Sequence, residues 1–172
     1  MNFVKNYQCT LCQKIYPKSK DLLTCPDCGE KGILEINYDY QLMSQVVTKE
    51  YFSSNKNFNM LRYAPLMSIE EYKGDTLKVG WTPLYHATNL GIILDMKNLY
   101  IKDEGVNPTA SLKDRASLVA CIKAIENNQE TICCSSTGNA ASSLAGNAAK
   151  MGLKSVIFVP ERAPSGKLSQ LV

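Results

Sequence analysis

The stretch Asn107-Pro-Thr-Ala-Ser-Leu-Lys-Asp-Arg115 places one lysine directly behind a turn and at the opening of a helix. Ahead of it, Leu99-Tyr-Ile-Lys102 reads as a short strand and Asn107-Pro108 as a turn. Behind it, Leu112, Leu118, Val119, Ile122 and Ile125 recur at helical spacing. Ser111 has the chemistry of an N-cap, so the pattern predicts a helix over 111–127 with Lys113 in its first turn. The partial positive charge of a helix N-terminus disfavours a second positive charge, which favours the neutral, nucleophilic amine. A lysine displayed in this way is a candidate for a Schiff base with a carbonyl. Taken alone, it reads rather as an ordinary solvated lysine at a helix start.

A second stretch repeats the arrangement. Cys134-Ser-Ser-Thr-Gly-Asn-Ala-Ala141 joins an apolar strand, 131–135, to a helix rich in Ala and Ser, 139–151, which Gly152 closes. N–H groups at that helix start, with the Ser136 and Thr137 hydroxyls beside them, suit an anion such as a carboxylate; a plain Ser/Thr/Asn capping cluster has the same composition. Ser155-Val-Ile-Phe-Val-Pro160 follows as a nearly all-apolar strand over 155–159, expected to be covered on both faces, and another helix is expected after Gly166. This alternation predicts parallel strands joined by right-handed crossovers, an α/β doubly wound arrangement.

With both stretches in view, the chain resembles the fold-type II pyridoxal-phosphate (PLP) enzymes, and among them the threonine synthases, whose lysine motif usually reads Asn-Pro-Thr-Gly-Ser-Phe-Lys-Asp-Arg. Gly80-Trp-Thr-Pro-Leu84 with Asn89-Leu-Gly91 resembles that family's entry into the catalytic region, and Arg62-Tyr63 ahead of Pro65-Leu66 resembles its Trp-Arg-Tyr helix. The resemblance implies a tryptophan-synthase-β-like α/β fold with a parallel sheet, of which 79–172 is the N-terminal part. It implies that Lys113 carries PLP, that Asn139 meets the ring hydroxyl, and that Ser136, Thr137 and Gly138 hold the substrate carboxylate. Lys113, once freed by an incoming amino acid, then serves as general base at the substrate Cα–H. The implied reaction converts O-phospho-L-homoserine and water to L-threonine and phosphate, and a homodimer is implied for the full-length enzyme. Asp114 and Arg115 read as a helix-surface pair that orders the first turn, with no catalytic role.

Two departures from the family pattern matter. Ala110-Ser111-Leu112 stands where the motif usually has Gly-Ser-Phe, which leaves open a relative acting on another amino acid, such as a threonine or serine dehydratase or a cysteate synthase. The chain stops at Val172, whereas the family's catalytic chain is usually more than twice as long. The glycine-rich phosphate loop and the polar partner of the pyridine nitrogen are expected beyond that point. On its own, the 172-residue chain is therefore expected to bind PLP weakly, to lack activity, and to expose an apolar sheet edge that favours self-association.

Toward the N-terminus, Cys9/Cys12 and Cys25/Cys28 form two Cys-x-x-Cys pairs separated by twelve residues. Each pair can direct two sulfurs at one tetrahedral ion, so the spacing predicts a structural zinc ribbon over 1–40, with Gly29 turning the second knuckle and 33–38 as a strand. Cys-x-x-Cys also serves thiol exchange, the competing reading. Many threonine synthases look similar here, down to a Tyr-Asp pair like Tyr38-Asp39. Cys121, Cys133 and Cys134 read as core residues. Residues 41–78 read as a connecting segment, with a loop at Ser53-Ser-Asn-Lys-Asn57, and 79–172 as the catalytic part.

Composition fits this organisation: 172 residues at 45% hydrophobic content support one domain and a small module. The net charge of +3 comes from dispersed lysines, and the ribbon has no arginine, so nucleic acid is not the expected partner. No apolar run reaches membrane-spanning length and the N-terminus has no signal-peptide pattern, which points to the cytoplasm. A zinc-ribbon binding module without catalysis is the remaining non-enzyme reading. A phosphate-binding loop at Ser165-Gly-Lys-Leu-Ser169 fails because its first glycine falls at Glu161. The single histidine, His86, with no Gly-x-Ser-x-Gly elbow, argues against a serine hydrolase and reads as a strand-end residue.

Overall fold

Short strands, tight knuckles and two amphipathic helices each find their partners locally, and the chain divides into two units. The computed structural model describes residues 2–20, 22–70, 72–161 and 169. One unit comprises Met1–Asn57 with Leu61–Tyr72, the other Phe58–Met60 with Lys73–Val172.

The first unit opens with a three-stranded antiparallel sheet in the order β2–β1–β3, built from β1 (Val4–Cys9), β2 (Ile15–Pro17) and β3 (Leu34–Tyr38). Its register sets Tyr7 opposite both Tyr16 and Ile36. Two knuckles interrupt it, closed by Gln13 N donating to Cys9 O and Gly29 N donating to Cys25 O. Gly29 takes a left-handed φ of 62°, as expected after the last cysteine. Two helices follow: α1 (Tyr40–Val46), capped by Asp39 Oδ1 accepting from Leu42 N, and α2 (Lys49–Ser54), capped by Thr48. The loop expected over 53–57 begins later, because Ser53 and Ser54 close α2 with hydroxyls donating back to Lys49 O and Tyr51 O.

In the second unit β4 (Leu84–His86) and β5 (Tyr100–Lys102) form an antiparallel pair around α3 (Thr88–Ile93). A 3₁₀ turn at Glu104–Val106 leads through the lysine stretch to α4 (Lys113–Glu126), β6 (Thr131–Ser135), α5 (Asn139–Lys150) and β7 (Lys154–Phe158). β6 and β7 are parallel, as the alternation predicts. The strand at 99–102 is where expected but joins a different sheet. Backbone bonds from Ala87 N to Leu99 O and from Asp103 N to Pro83 O extend its pairing with β4 at both ends. His86 ends β4, exposed and stacked on Tyr100.

The core of this unit lies between α4 and α5 and the inner face of β6–β7. Cys121, Leu144 and Ala148 are buried, with Ile132, Cys134, Met151, Leu153 and Ile157 packed against them. Strand period two then turns Cys133, Val156 and Phe158 outward, and all three are exposed. This corrects two expectations: Cys133 is not a core residue, and the 155–159 strand is covered on one face among the described residues. The helix expected after Gly166 lies outside the described residues. No helix is long and apolar enough to cross a membrane among the described residues.

Candidate functional site

The lysine stretch is held as a sequence of tight turns. Ala110 N donates to Asn107 O at 2.7 Å, and Asn107 Oδ1 in turn accepts from Gly80 N at 3.0 Å. Ala110 then takes a φ of 57°, a left-handed conformation in which glycine has no penalty. The helix starts at Lys113, one residue later than the N-cap reading of Ser111 implies. Ser111 nevertheless performs the capping chemistry: its Oγ accepts from Lys113 N at 3.1 Å, and its carbonyl accepts from Asp114 N. Lys113 is exposed, in the first turn as expected, and forms no ion pair among the described residues.

The next residue departs most from the sequence reading. Asp114 is fully buried rather than on the helix surface. Its Oδ2 accepts from Thr109 N at 2.8 Å; its Oδ1 accepts from Thr109 Oγ1 at 2.7 Å, Ser143 Oγ at 2.7 Å and Asn147 Nδ2 at 3.1 Å. A buried carboxylate is tolerable only when saturated in this way. Arg115 is equally engaged. Its Nε donates to Glu104 Oε2 at 2.6 Å and its Nη2 to Glu104 Oε1 at 2.8 Å, a bidentate pair. Thr82 Oγ1 and Asn107 Nδ2 also donate to that carboxylate, at 2.7 and 3.0 Å. Arg115, with Thr82 and Asn107 behind it, holds the Glu104 carboxyl down to about 2, and Glu104 raises the Arg115 guanidinium.

On the α5 side, Ser136 N continues the parallel ladder by donating to Phe158 O, and Ser136 Oγ accepts from Gly138 N at 3.2 Å. No side chain caps α5, and a Cβ at Gly138 would meet nothing within 4 Å. Ser136, Thr137, Gly138 and exposed Asn139 thus form an open helix entrance, suited to an anion. Ser143, one turn past Asn139, bonds Asp114, the neighbour of Lys113. Ala116 of α4 and Ala140 of α5 also line one hollow of about 250 Å³, with Ser117, Ala120, Cys134 and Leu144. The lysine turn and the 136–139 loop are therefore neighbours through α4 and α5.

A family model described as Pyridoxal-phosphate dependent enzyme matches residues 76–172, which hold both. The chain belongs to the pyridoxal-phosphate-dependent enzyme family. Its relatives include threonine synthases from Methanocaldococcus jannaschii, 39% identical over 95% of this chain and 40% of that protein, and from Methanosarcina acetivorans, 34% identical over 95% of this chain and 39% of that one. A threonine synthase from Bacillus sp. (strain ULM1) is 42% identical over 64% of this chain and 32% of its own length. The chain thus spans about two fifths of the first two relatives it matches.

The residues fit the group after which this PLP-dependent family is named. An aldehyde needs an amine without a carboxylate partner. Asp114, next to Lys113 in the chain, is committed to Thr109, Ser143 and Asn147, and Glu104 is committed to Arg115. Sequence reasoning missed Glu104, Ser117, Ser143 and Asn147 altogether. A weak signal existed: polar residues at 143 and 147 interrupt an Ala-rich helix at a spacing of four.

The four N-terminal cysteines also converge. The Sγ atoms of Cys9, Cys12, Cys25 and Cys28 all lie within 4.8 Å of one another, with Cys12 and Cys25 at 3.6 Å. A zinc tetrathiolate with Zn–S near 2.3 Å requires sulfur separations of about 3.8 Å, so the set fits. Leu11 N and Cys12 N donate to Cys9 Sγ at 3.4 and 3.5 Å, and Tyr16 Oη lies 3.1 Å from Cys25 Sγ. Glycine is required beside this cluster: a Cβ on Gly32 would fall 2.4 Å from Cys25 Cβ and 2.8 Å from Cys28 Cβ.

Proposed function

We propose that this chain is the N-terminal part of a threonine synthase, of tryptophan-synthase-β-like fold-type II architecture, that converts O-phospho-L-homoserine and water to L-threonine and phosphate. The observation that supports this reading is an exposed Lys113, with no ion pair among the described residues, whose neighbour Asp114 is bonded to Ser143 on the helix that the 136–139 loop opens. Threonine synthases among its relatives, at 34–42% identity, support the choice of substrate.

In this reading Lys113 Nζ holds PLP covalently, and the Asn139 amide bonds the ring hydroxyl. The N–H groups of loop 136–139, with the Ser136 and Thr137 hydroxyls, bind the substrate carboxylate, and Gly138 leaves room for it. Bound PLP supplies an electron sink for charge at the substrate Cα. Lys113 would serve as general base, taking the substrate Cα proton and returning it. Overall the Cγ–O bond to phosphate and one Cβ–H bond break, a water oxygen bonds to Cβ, Cγ gains a proton, and the remaining water proton leaves with phosphate.

Cys9, Cys12, Cys25 and Cys28 hold a structural zinc in a ribbon over 1–40, joined by 41–78 to the catalytic part over 79–172. Four thiolates leave no open position, so this metal organises the sheet and takes no part in the reaction. The working location is the cytoplasm and the assembly a homodimer. The test is an assay on a polypeptide of the relatives' length carrying this sequence. Phosphate and threonine should appear in equal amounts from O-phospho-L-homoserine, and Lys113→Ala should abolish both. Turnover of threonine or serine to an oxo acid, with none of phosphohomoserine, would reassign the chain to the dehydratases.

A further inference from the structure

Among the described residues the Lys113 side chain makes no hydrogen bond or ion pair; what is fixed is the backbone on both sides. Thr109, in the turn before it, and Asp114, directly after it, are tied to each other twice and to α5 twice more. The two carboxylate oxygens divide the work. Oδ2 holds the Thr109 backbone N–H, whereas Oδ1 gathers Thr109 Oγ1, Ser143 Oγ and Asn147 Nδ2. On the α5 side the surface is bare where the turn docks, because a Cβ on Gly146 would stand 3.0 Å from Thr109 Cγ2.

We propose that Asp114 is the positioning residue for Lys113: its carboxylate locks the lysine turn onto α5 and so sets where the amine stands relative to loop 136–139. The inference rests on the reading of Lys113 as the cofactor lysine. The position calls for a carboxylate, because an amide there would set its NH₂ against the Thr109 N–H or against the donors from α5. Ser117 gives an internal comparison. Its Oγ lies 2.8 Å from Ser143 Oγ and is the donor there, because the Ser143 proton goes to Asp114; it thus shares the buried network with no hydrogen bond to Asp114 or the turn among the described residues.

The test is reduction with borohydride after incubating the full chain with PLP, with the label mapped by peptide mass and the visible band of bound PLP recorded. Variants are compared at a temperature where circular dichroism shows them folded. Asp114→Asn is expected to lower the label at Lys113 at least tenfold and to displace or abolish the visible band. Thr109→Val, which keeps the carboxylate and removes one hydroxyl, is expected to lower it several-fold, and decides the matter if Asp114→Asn does not fold. Ser117→Ala is expected to keep the wild-type label. Folded Thr109→Val with undiminished label, or Ser117→Ala losing as much label as Asp114→Asn, overturns the proposal. Wild-type chain unlabelled at Lys113 overturns the cofactor reading and this inference together.

Discussion

Ala110 sits at φ 57° in the turn that carries Lys113. An L-residue there costs about 1–2 kcal/mol, and glycine avoids that cost while losing roughly 0.5–1 kcal/mol in chain entropy. Ala110→Gly is therefore expected to raise unfolding stability by about 0.5 kcal/mol in urea; a comparable loss would mean that the methyl group packs usefully. Glu104 makes a pH-dependent contribution. Its carboxyl is held well below its ordinary value, so the stabilisation is complete above about pH 4.5 and is lost as pH falls toward 2. Glu104→Gln should flatten the acid limb of a stability-against-pH curve in that window, and an unchanged limb would contradict the assignment. Lys113 was legible because residue type, turn and helix start all lie within nine residues. Asp114 was not, since its burial is decided by partners at Ser143 and Asn147 on α5, beyond the intervening strand β6.

Among the elements, periodicity located the helices and strands from 99 to 159 to within two residues, but it gave neither β4 nor α3. What it could not give was pairing. Tyr100–Lys102 has no local mark distinguishing a parallel from an antiparallel neighbour; it joins β4 because the chain turns back after α3 and runs alongside Leu84–His86. The two knuckles were legible from spacing alone, but the need for glycine at 32 was not, because it arises from Cys25 and Cys28 approaching from the side. Gly32→Ala must displace one of these cysteines. Zinc retention against a competing chelator is expected to fall at least tenfold, in line with disturbed outer-shell contacts at metal sites. Wild-type retention would show that the cluster tolerates the shift.

For the whole molecule, exposed apolar surface is the main consequence. Val156 and Phe158 face outward from β7, and Tyr85 and Ile101 share one side of the β4–β5 pair. Surface of this kind favours association. The chain is expected to show a concentration-dependent apparent mass in sedimentation, which Val156→Lys reduces; a monomer at all concentrations would contradict this. The central claim is narrower and concerns one amine. Incubating the chain with PLP, reducing with borohydride and mapping the pyridoxyl group by peptide mass tests it directly. The account requires the label on Lys113 above every other lysine, and stronger still in a polypeptide of the relatives' length. Label scattered over many lysines in both, or absent from Lys113, would contradict it.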